Sequence, residues 1–152
     1  IYKRPKKLCS NCNMNLVIND VLNNFEGNDF IQVHATNPCL KSKTIDNAIS
    51  NYYKSKNKID SMFAVTEFKK RLWDSNIKPY NHKLNASPTT QNLSKLYEEN
   101  SCFYIFSRIS FKKQFNRIGR KPGIFKTSLL ESIDIDNKED LDLVKIIKKK
   151  YK

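Results

Sequence analysis

In the stretch SIDIDNKEDL (residues 132–141), two carboxylates, Asp134 and Asp136, alternate with isoleucines and run directly into a helical pattern. Residues two apart on an extended chain point the same way, with about 6.6 Å of rise between them. Where such a strand frays, both side chains can converge on one hard cation. Magnesium takes oxygen ligands, keeps several waters, and needs only one or two protein carboxylates when substrate phosphates supply the rest. A second reading fits the same residues. Asp136-Asn137-Lys138-Glu139 matches a D-x-x-E capping box, in which Asp136 would hold the first amides of the terminal helix. The spacing leaves both open.

Three further stretches carry polar chemistry. QVHATNPCL (32–40) places His34, Thr36 and Asn37 in a polar turn at the end of an apolar run; such a turn can hold a carbonyl, a carboxylate or a base edge, or simply break the strand at Pro38. YEENSCFYIF (97–106) sets Asn100 before a buried strand and Tyr104 within it, and a buried tyrosine needs a partner for its hydroxyl. NRIGRKPG (116–123) is a basic turn that reads as a solvated loop. With three glycines in the chain there is no Gly-rich phosphate loop.

Short strands alternate with helices along the chain. Helical spacing runs through NLVINDVLNNF (15–25) and through KTIDNAISNYYKSK (43–56), where Ser42 or Thr44 is the expected N-cap. Strand patterns cover Phe30–Val33, DSMFAVTEF (60–68), SCFYIFSR (101–108), GIFKTS (123–128) and LESIDI (130–135). ISFKKQFNRIG (109–119) reads as a short helix ended by Gly119, and NKEDLDLVKIIKKKYK as a terminal one. This order predicts an α/β fold with a mostly parallel sheet. Ligands of such sheets sit beyond the carboxyl ends of the strands, which shortlists His34–Pro38, Thr66 and Glu67, Ser107 and Arg108, and Asp134–Asp136. About residues 68–95, including the only tryptophan, mix turns with strand-like pieces and read as an excursion: a lid or a subunit contact.

At 152 residues and 39% hydrophobic content, the chain has the size of one domain with a real core. No run approaches the roughly 18 apolar residues of a membrane span, and IYKRPKKL has no apolar signal region. The net charge of +13 raises nucleic-acid binding as an alternative. The excess is mostly Lys, scattered except for the tail KIIKKKYK, rather than the fork-shaped Arg suited to phosphates and bases, so no nucleic-acid partner is expected. Cys9 and Cys12 form a lone C-x-x-C without a second ligand pair, and four cysteines in a chain of this length point to a reducing cytoplasm rather than a disulfide framework.

Taken together, these stretches resemble the acylneuraminate cytidylyltransferases, which make cytidine-monophosphate-activated sialic acid and related nine-carbon keto acids. The likeness runs along nearly the whole chain: KRPKKL, QVHATNPCLKSKTID, DSMFAVTEFKKRLW, YEENSCFYIFSR, RIGRKPGIF and SIDIDNKEDL follow in the family's order. The resemblance implies a Rossmann-like three-layer α/β/α nucleotidyltransferase fold across residues 1–152, lacking the family's N-terminal strand and its triphosphate-gripping loop. On that expectation the segment alone would not turn over CTP, and a non-catalytic relative is a further alternative. The implied reaction transfers CMP from CTP to the anomeric hydroxyl of a sialic-acid-like keto sugar acid and releases pyrophosphate. By motif match, Asp134 and Asp136 would hold Mg2+. His34 falls where the family often has Gln facing the sugar, beside Thr36 and Asn37, while Asn100 and Tyr104 fall on residues lining the sugar pocket. Gln91 is a further contact. In SPTTQNL, Thr89 or Thr90 stands where the family usually has Arg, so another cation must take its place or the acceptor differs. The excursion resembles the region through which these enzymes form homodimers.

Overall fold

The computed structural model describes residues 2–8, 12–84 and 89–150; Cys9 lies outside them. After a short 3-10 turn, Lys6–Leu8, come α1 (Met14–Asn24), β1 (Asp29–Val33), α2 (Ser42–Ser55) and β2 (Ser61–Phe68). A second 3-10 turn, Thr90–Asn92, leads to β3 (Leu96–Ser107), α3 (Arg108–Gln114), β4 (Pro122–Lys126) and α4 (Lys138–Lys150). The four strands form one mixed sheet in the order β1-β3-β2-β4. β2 and β4 are parallel, whereas β3 runs antiparallel to both of its neighbours, so β1, β2 and β4 point one way and β3 against them.

Both faces of the sheet are covered because residues of β2 and β3 are apolar in both directions, the pattern of an interior strand. On one face Ala48 and Tyr52 of α2 pack with Met62, Ala64, Cys102, Phe103 and Ile105. On the other, Ile18 and Leu22 of α1 and Phe111 of α3 pack with Tyr104 and Phe106. Helix, sheet and helix make three layers, as expected.

The direction of β3 decides what reaches the site. Asp29 pairs with Ser107 and Val33 with Phe103, so Ser107 and Arg108 lie at the far end of the sheet from His34. Arg108 instead donates to the carbonyls of Leu22, Phe25 and Gly27 and closes the end of α1, so that part of the strand-end shortlist is corrected. It is the amino-terminal half of β3 that reaches the ligand end. There the register slips: Phe63 faces Tyr104, but Val65 faces Glu99. The extra residues form a bulge in which Ser101 adopts φ 59°. A bulge re-aims the side chains on either side of it.

Four local expectations are revised. LESIDI forms turns and irregular backbone rather than a strand. Phe115, at φ 50°, ends α3 in the left-handed conformation expected of Gly119. Neither Ser42 nor Thr44 caps α2, whose N-cap is Lys41 with no side-chain bond of its own. The capping role passes to a distant carboxylate: Glu131 Oε1 accepts from the Lys41 amide at 3.2 Å and from Thr44 Oγ1 at 2.5 Å, while Oε2 accepts from Ser128 Oγ at 3.0 Å. Finally, Asp136 is not the cap of α4. Asn137 is: its Oδ1 accepts from the Asp140 amide, and Asp140 Oδ2 accepts from the Asn137 amide, a reciprocal box one residue further on.

Glu131 is 8% exposed. Burial pushes its pKa up, but hydrogen bonds from Thr44, Ser128 and the Lys41 amide outweigh that and hold it below the usual carboxylate value. A depressed folded-state pKa stabilises the fold above the unfolded value, and this contribution is lost as pH falls through the folded value. Glu131→Gln is therefore expected to lower stability by about 1–2 kcal/mol at pH 7 and by less near pH 3. Urea melts at the two pH values check this; a gap that widens in acid would contradict it.

Candidate functional site

The loop after β1 and the segment before α4 are stitched together. The Ile135 amide donates to the Thr36 carbonyl at 2.9 Å, and Asn37 Nδ2 donates to the Ile133 carbonyl at 3.3 Å. These two ties bracket Asp134 and set it at the carboxyl end of the sheet. Asp134 Oδ1 is buried without a hydrogen-bond partner, and so is Asn37 Oδ1. Asp136 is exposed, and only its amide, not its carboxylate, enters the box that caps α4. Asp134 and Asp136 share the wall of one recess of about 330 Å³ with Glu98, Glu99, Asn100 and Ser101 of β3.

These oxygens suit a hard divalent cation. A buried carboxylate oxygen lacking a proton donor is costly unless a cation or a proton reaches it. Among the described residues no three His, Cys, Asp or Glu side chains converge as a metal cage. An ion that retains waters and substrate oxygens, as magnesium does, fits such a sparse donor set better than one needing a complete protein cage.

Next to the acids stands an aromatic and basic group. Tyr104 is fully buried, its hydroxyl donating to Glu99 Oε1 and lying 3.3 Å from Ser101 Oγ. Burial and the Glu99 bond raise its pKa, keeping it a hydrogen-bond donor. His34 lies 6.0 Å from Tyr104, centroid to centroid, and its Nε2 is 3.0 Å from Gln32 Nε2. Burial and then Arg117 lower the pKa of His34, while Asp134 opposes them, which favours the neutral imidazole. Arg117 holds its guanidinium 3.6 Å from the centre of the Tyr104 ring and donates from Nη1 to Gln32 Oε1 at 2.9 Å.

Of the residues singled out from sequence, His34, Thr36, Asn37, Tyr104, Asp134 and Asp136 gather at this end of the sheet. Asn100 borders the recess, but its amide is spent inside: Nδ2 donates to Thr66 Oγ1 at 2.8 Å and Thr127 Oγ1 at 2.7 Å, and Oδ1 accepts from the Cys102 amide. It ties β2, β3 and the end of β4 across the bulge. Gln91 is exposed in the second 3-10 turn, where its carbonyl accepts from Lys69 Nζ at 3.0 Å; among the described residues no hydrogen bond links its side chain to the acids. Thr89 is exposed as well. The excursion holds a small hairpin with a Trp73–Pro79 bridge, and Asp74 Oδ1 accepts the Asn76 and Lys78 amides at its turn.

Arg117, Gln32 and Glu99 were missed. Gln32 had a signal, since it sits two residues before His34 and so shares its side of the strand. Arg117 had none in composition or spacing, because its loop reads as solvated; only the tertiary anchoring of that loop turns it inward.

Comparison with known proteins agrees with this architecture. The solved structure of 4-diphosphocytidyl-2C-methyl-D-erythritol synthase from Anaerococcus prevotii is similar, with a TM-score of 0.63 at 10% sequence identity. The match covers 91% of this chain and 67% of that one, and at this identity it bears on the fold alone. No curated protein matches the chain. The family described as cytidylyltransferase matches residues 11–151, nearly the whole sequence, and the chain therefore belongs to the cytidylyltransferase family.

Proposed function

We propose that the chain forms the acceptor side of a cytidylyltransferase that moves CMP from CTP to a sialic-acid-like keto sugar acid. In that reaction the anomeric hydroxyl oxygen bonds to the α-phosphorus of CTP. The bond from that phosphorus to the β-phosphate oxygen breaks, pyrophosphate leaves, and the hydroxyl proton is released. Asp134 and Asp136 would hold Mg2+, which when bound neutralises phosphate charge. The observation carrying this reading is the orphaned, buried Oδ1 of Asp134 beside an Asp136 carboxylate left free of capping.

The chain's own residues supply position more than covalent chemistry. The ties at Thr36 and Asn37 fix Asp134, neutral His34 offers a hydrogen-bond partner without adding charge, and Glu99, bonded to the Tyr104 hydroxyl, contributes to the polar wall of the recess. Exposed Trp73, Ile77, Tyr80 and Leu84 support a subunit contact by the excursion, hence a homodimer.

Pyrophosphate release from CTP by the full gene product tests the proposal. Nine-carbon keto sugar acids are expected to support release in the presence of Mg2+, and chelation with EDTA to stop it. Neutral sugars are expected not to. Equal rates with neutral sugars would remove the keto-acid assignment while leaving cytidylyl transfer in place.

A further inference from the structure

Loop 115–121 is tied by hydrogen bonds from four successive amides. The Ile118 amide donates to Asn116 Oδ1, the Gly119 amide to Ser61 Oγ, and the Arg120 and Lys121 amides to the two carboxylate oxygens of Asp60. Its basic side chains divide accordingly. Arg120 is exposed, as is Lys121, whereas Arg117 is half-buried and laid over the ring of a fully buried Tyr104. Its position is therefore set before any ligand arrives, by the loop on one side and by the ring and Gln32 on the other.

What this guanidinium lacks is a counter-ion. Among the described residues Arg117 forms no ion pair, and of its nitrogens only Nη1 has a hydrogen-bond partner, Gln32. A partly desolvated cation with donors to spare, held against the ring of Tyr104, whose hydroxyl bonds to Glu99 in the wall of the recess, is suited to a planar anion, because the guanidinium fork matches carboxylate geometry bidentately. Its ring contact adds to this, since a guanidinium stacked on an aromatic face keeps its edge free for in-plane hydrogen bonds. His34 shares two neighbours with Arg117: the Tyr104 ring, 6.0 Å from the imidazole and 3.6 Å from the guanidinium, and Gln32, 3.0 Å from His34 Nε2 and 2.9 Å from Arg117 Nη1. This end of the sheet thus carries a cation at Arg117, a neutral imidazole at His34, and the acids Asp134 and Asp136.

We propose that Arg117 binds the carboxylate of the acceptor and so selects acidic acceptors. The proposal rests on the keto-acid reading above and names the residue responsible. The polarity of the site accounts for the direction. A carboxylate on Arg117 sets the hydroxyl on the adjoining carbon toward the acids, where the α-phosphate has to lie. A CTP phosphate on Arg117 would instead leave Asp134 and Asp136 facing the uncharged part of the acceptor.

The test compares wild type, Arg117→Gln and Arg117→Lys, using N-acetylneuraminic acid and its methyl ester as acceptors, by pyrophosphate release and by titration calorimetry. Wild type is expected to favour the acid over the ester by about 10- to 100-fold, the range for losing a charged hydrogen-bonded partner. Arg117→Gln is expected to raise the KM for the acid by a similar factor, to abolish the preference, and to leave the KM for CTP within about twofold. Arg117→Lys, with the charge but not the fork, falls between. A purely structural role would move Tm and the CTP KM together and leave the acid-to-ester ratio alone. If wild type discriminates and Arg117→Gln discriminates equally, the assignment of Arg117 is overturned and the keto-acid reading survives. A rise in the CTP KM alone would move Arg117 to the nucleotide. If wild type neither binds nor prefers the acid, the keto-acid reading fails and the proposal with it.

Discussion

Asp134→Asn and Asp136→Asn are each expected to lower kcat by about tenfold or more, which corresponds to at least about 1.4 kcal/mol of lost transition-state stabilisation. Neither is expected to unfold the protein. Asp136 is exposed and its carboxylate makes no hydrogen bond among the described residues, so its replacement should change stability by no more than about 0.5 kcal/mol. Asp134 carries an unpartnered buried oxygen, and exchanging a charged carboxylate for a neutral amide there removes a desolvated charge. Stability should hold or rise while turnover falls, the pattern of a group kept for function at the expense of the fold. The control is Asn137→Ala. It deletes the residue that does cap α4 and should cost about 1 kcal/mol with kcat unchanged. Turnover and thermal melts on the three variants separate the roles. Wild-type kcat in both aspartate variants would remove the metal assignment, and a drop in Tm that tracks lost turnover would make these residues structural.

The capping question shows where the sequence was legible and where it was not. D-x-x-E at 136–139 and N-x-x-D at 137–140 overlap with a shift of one residue, and nothing local ranks them. The structure takes the second, because the ties from Ile133 and Ile135 to the loop after β1 fix where the irregular segment stops. Periodicity located α1, α2, β2 and α4 to within a residue or two; α1 and α2 each bury one apolar stripe and β2 two apolar faces, whereas α4 buries Val144 alone and is marked instead by its charged, helix-favouring sequence. Strand direction carries no periodic signature, so nothing in SCFYIFSR told that β3 runs against its neighbours; Arg108 was placed at the wrong end for that reason. Nor could the local pattern show that Glu131 would serve α2, with nearly ninety positions between them in the chain, or that Phe115 would take the left-handed turn while Gly119 was needed elsewhere. The site residues on turns after strands were legible by type. The cation among them was not, because what distinguishes Arg117 from Arg120 is only which of them the Asp60 anchor leaves facing the sheet.

That anchor underlies the last prediction. Gly119→Ala is expected to destabilise the fold by about 2–4 kcal/mol, combining overpacking with weakened charged hydrogen bonds. A Cβ at Gly119 would collide with Asp60 Oδ1 and Ser110 Oγ. A collision with a mobile side chain is relieved by a rotation, but Asp60 has no such freedom: the Arg120 amide holds one of its oxygens at 2.9 Å, and the Lys121 amide holds the other at 3.1 Å. Moving the carboxylate breaks both, and moving the loop breaks the Gly119 bond to Ser61 Oγ, 2.8 Å long, at the start of β2. The requirement is for the missing side chain rather than for an unusual backbone angle, since Gly119 is not among the residues with positive φ. Asp60→Asn in the Gly119→Ala background separates the two costs: the amide can still accept from one backbone N–H and carries no charge to be displaced, so the double variant should lose less than the sum of the single ones. Because the same loop aims Arg117 at Tyr104, Gly119→Ala should also weaken the preference for acid over ester at temperatures where the protein remains folded. Urea titration measures the first effect and the acceptor pair measures the second. Wild-type stability in Gly119→Ala would mean that the loop yields freely, and then it could not hold a guanidinium in readiness for a ligand.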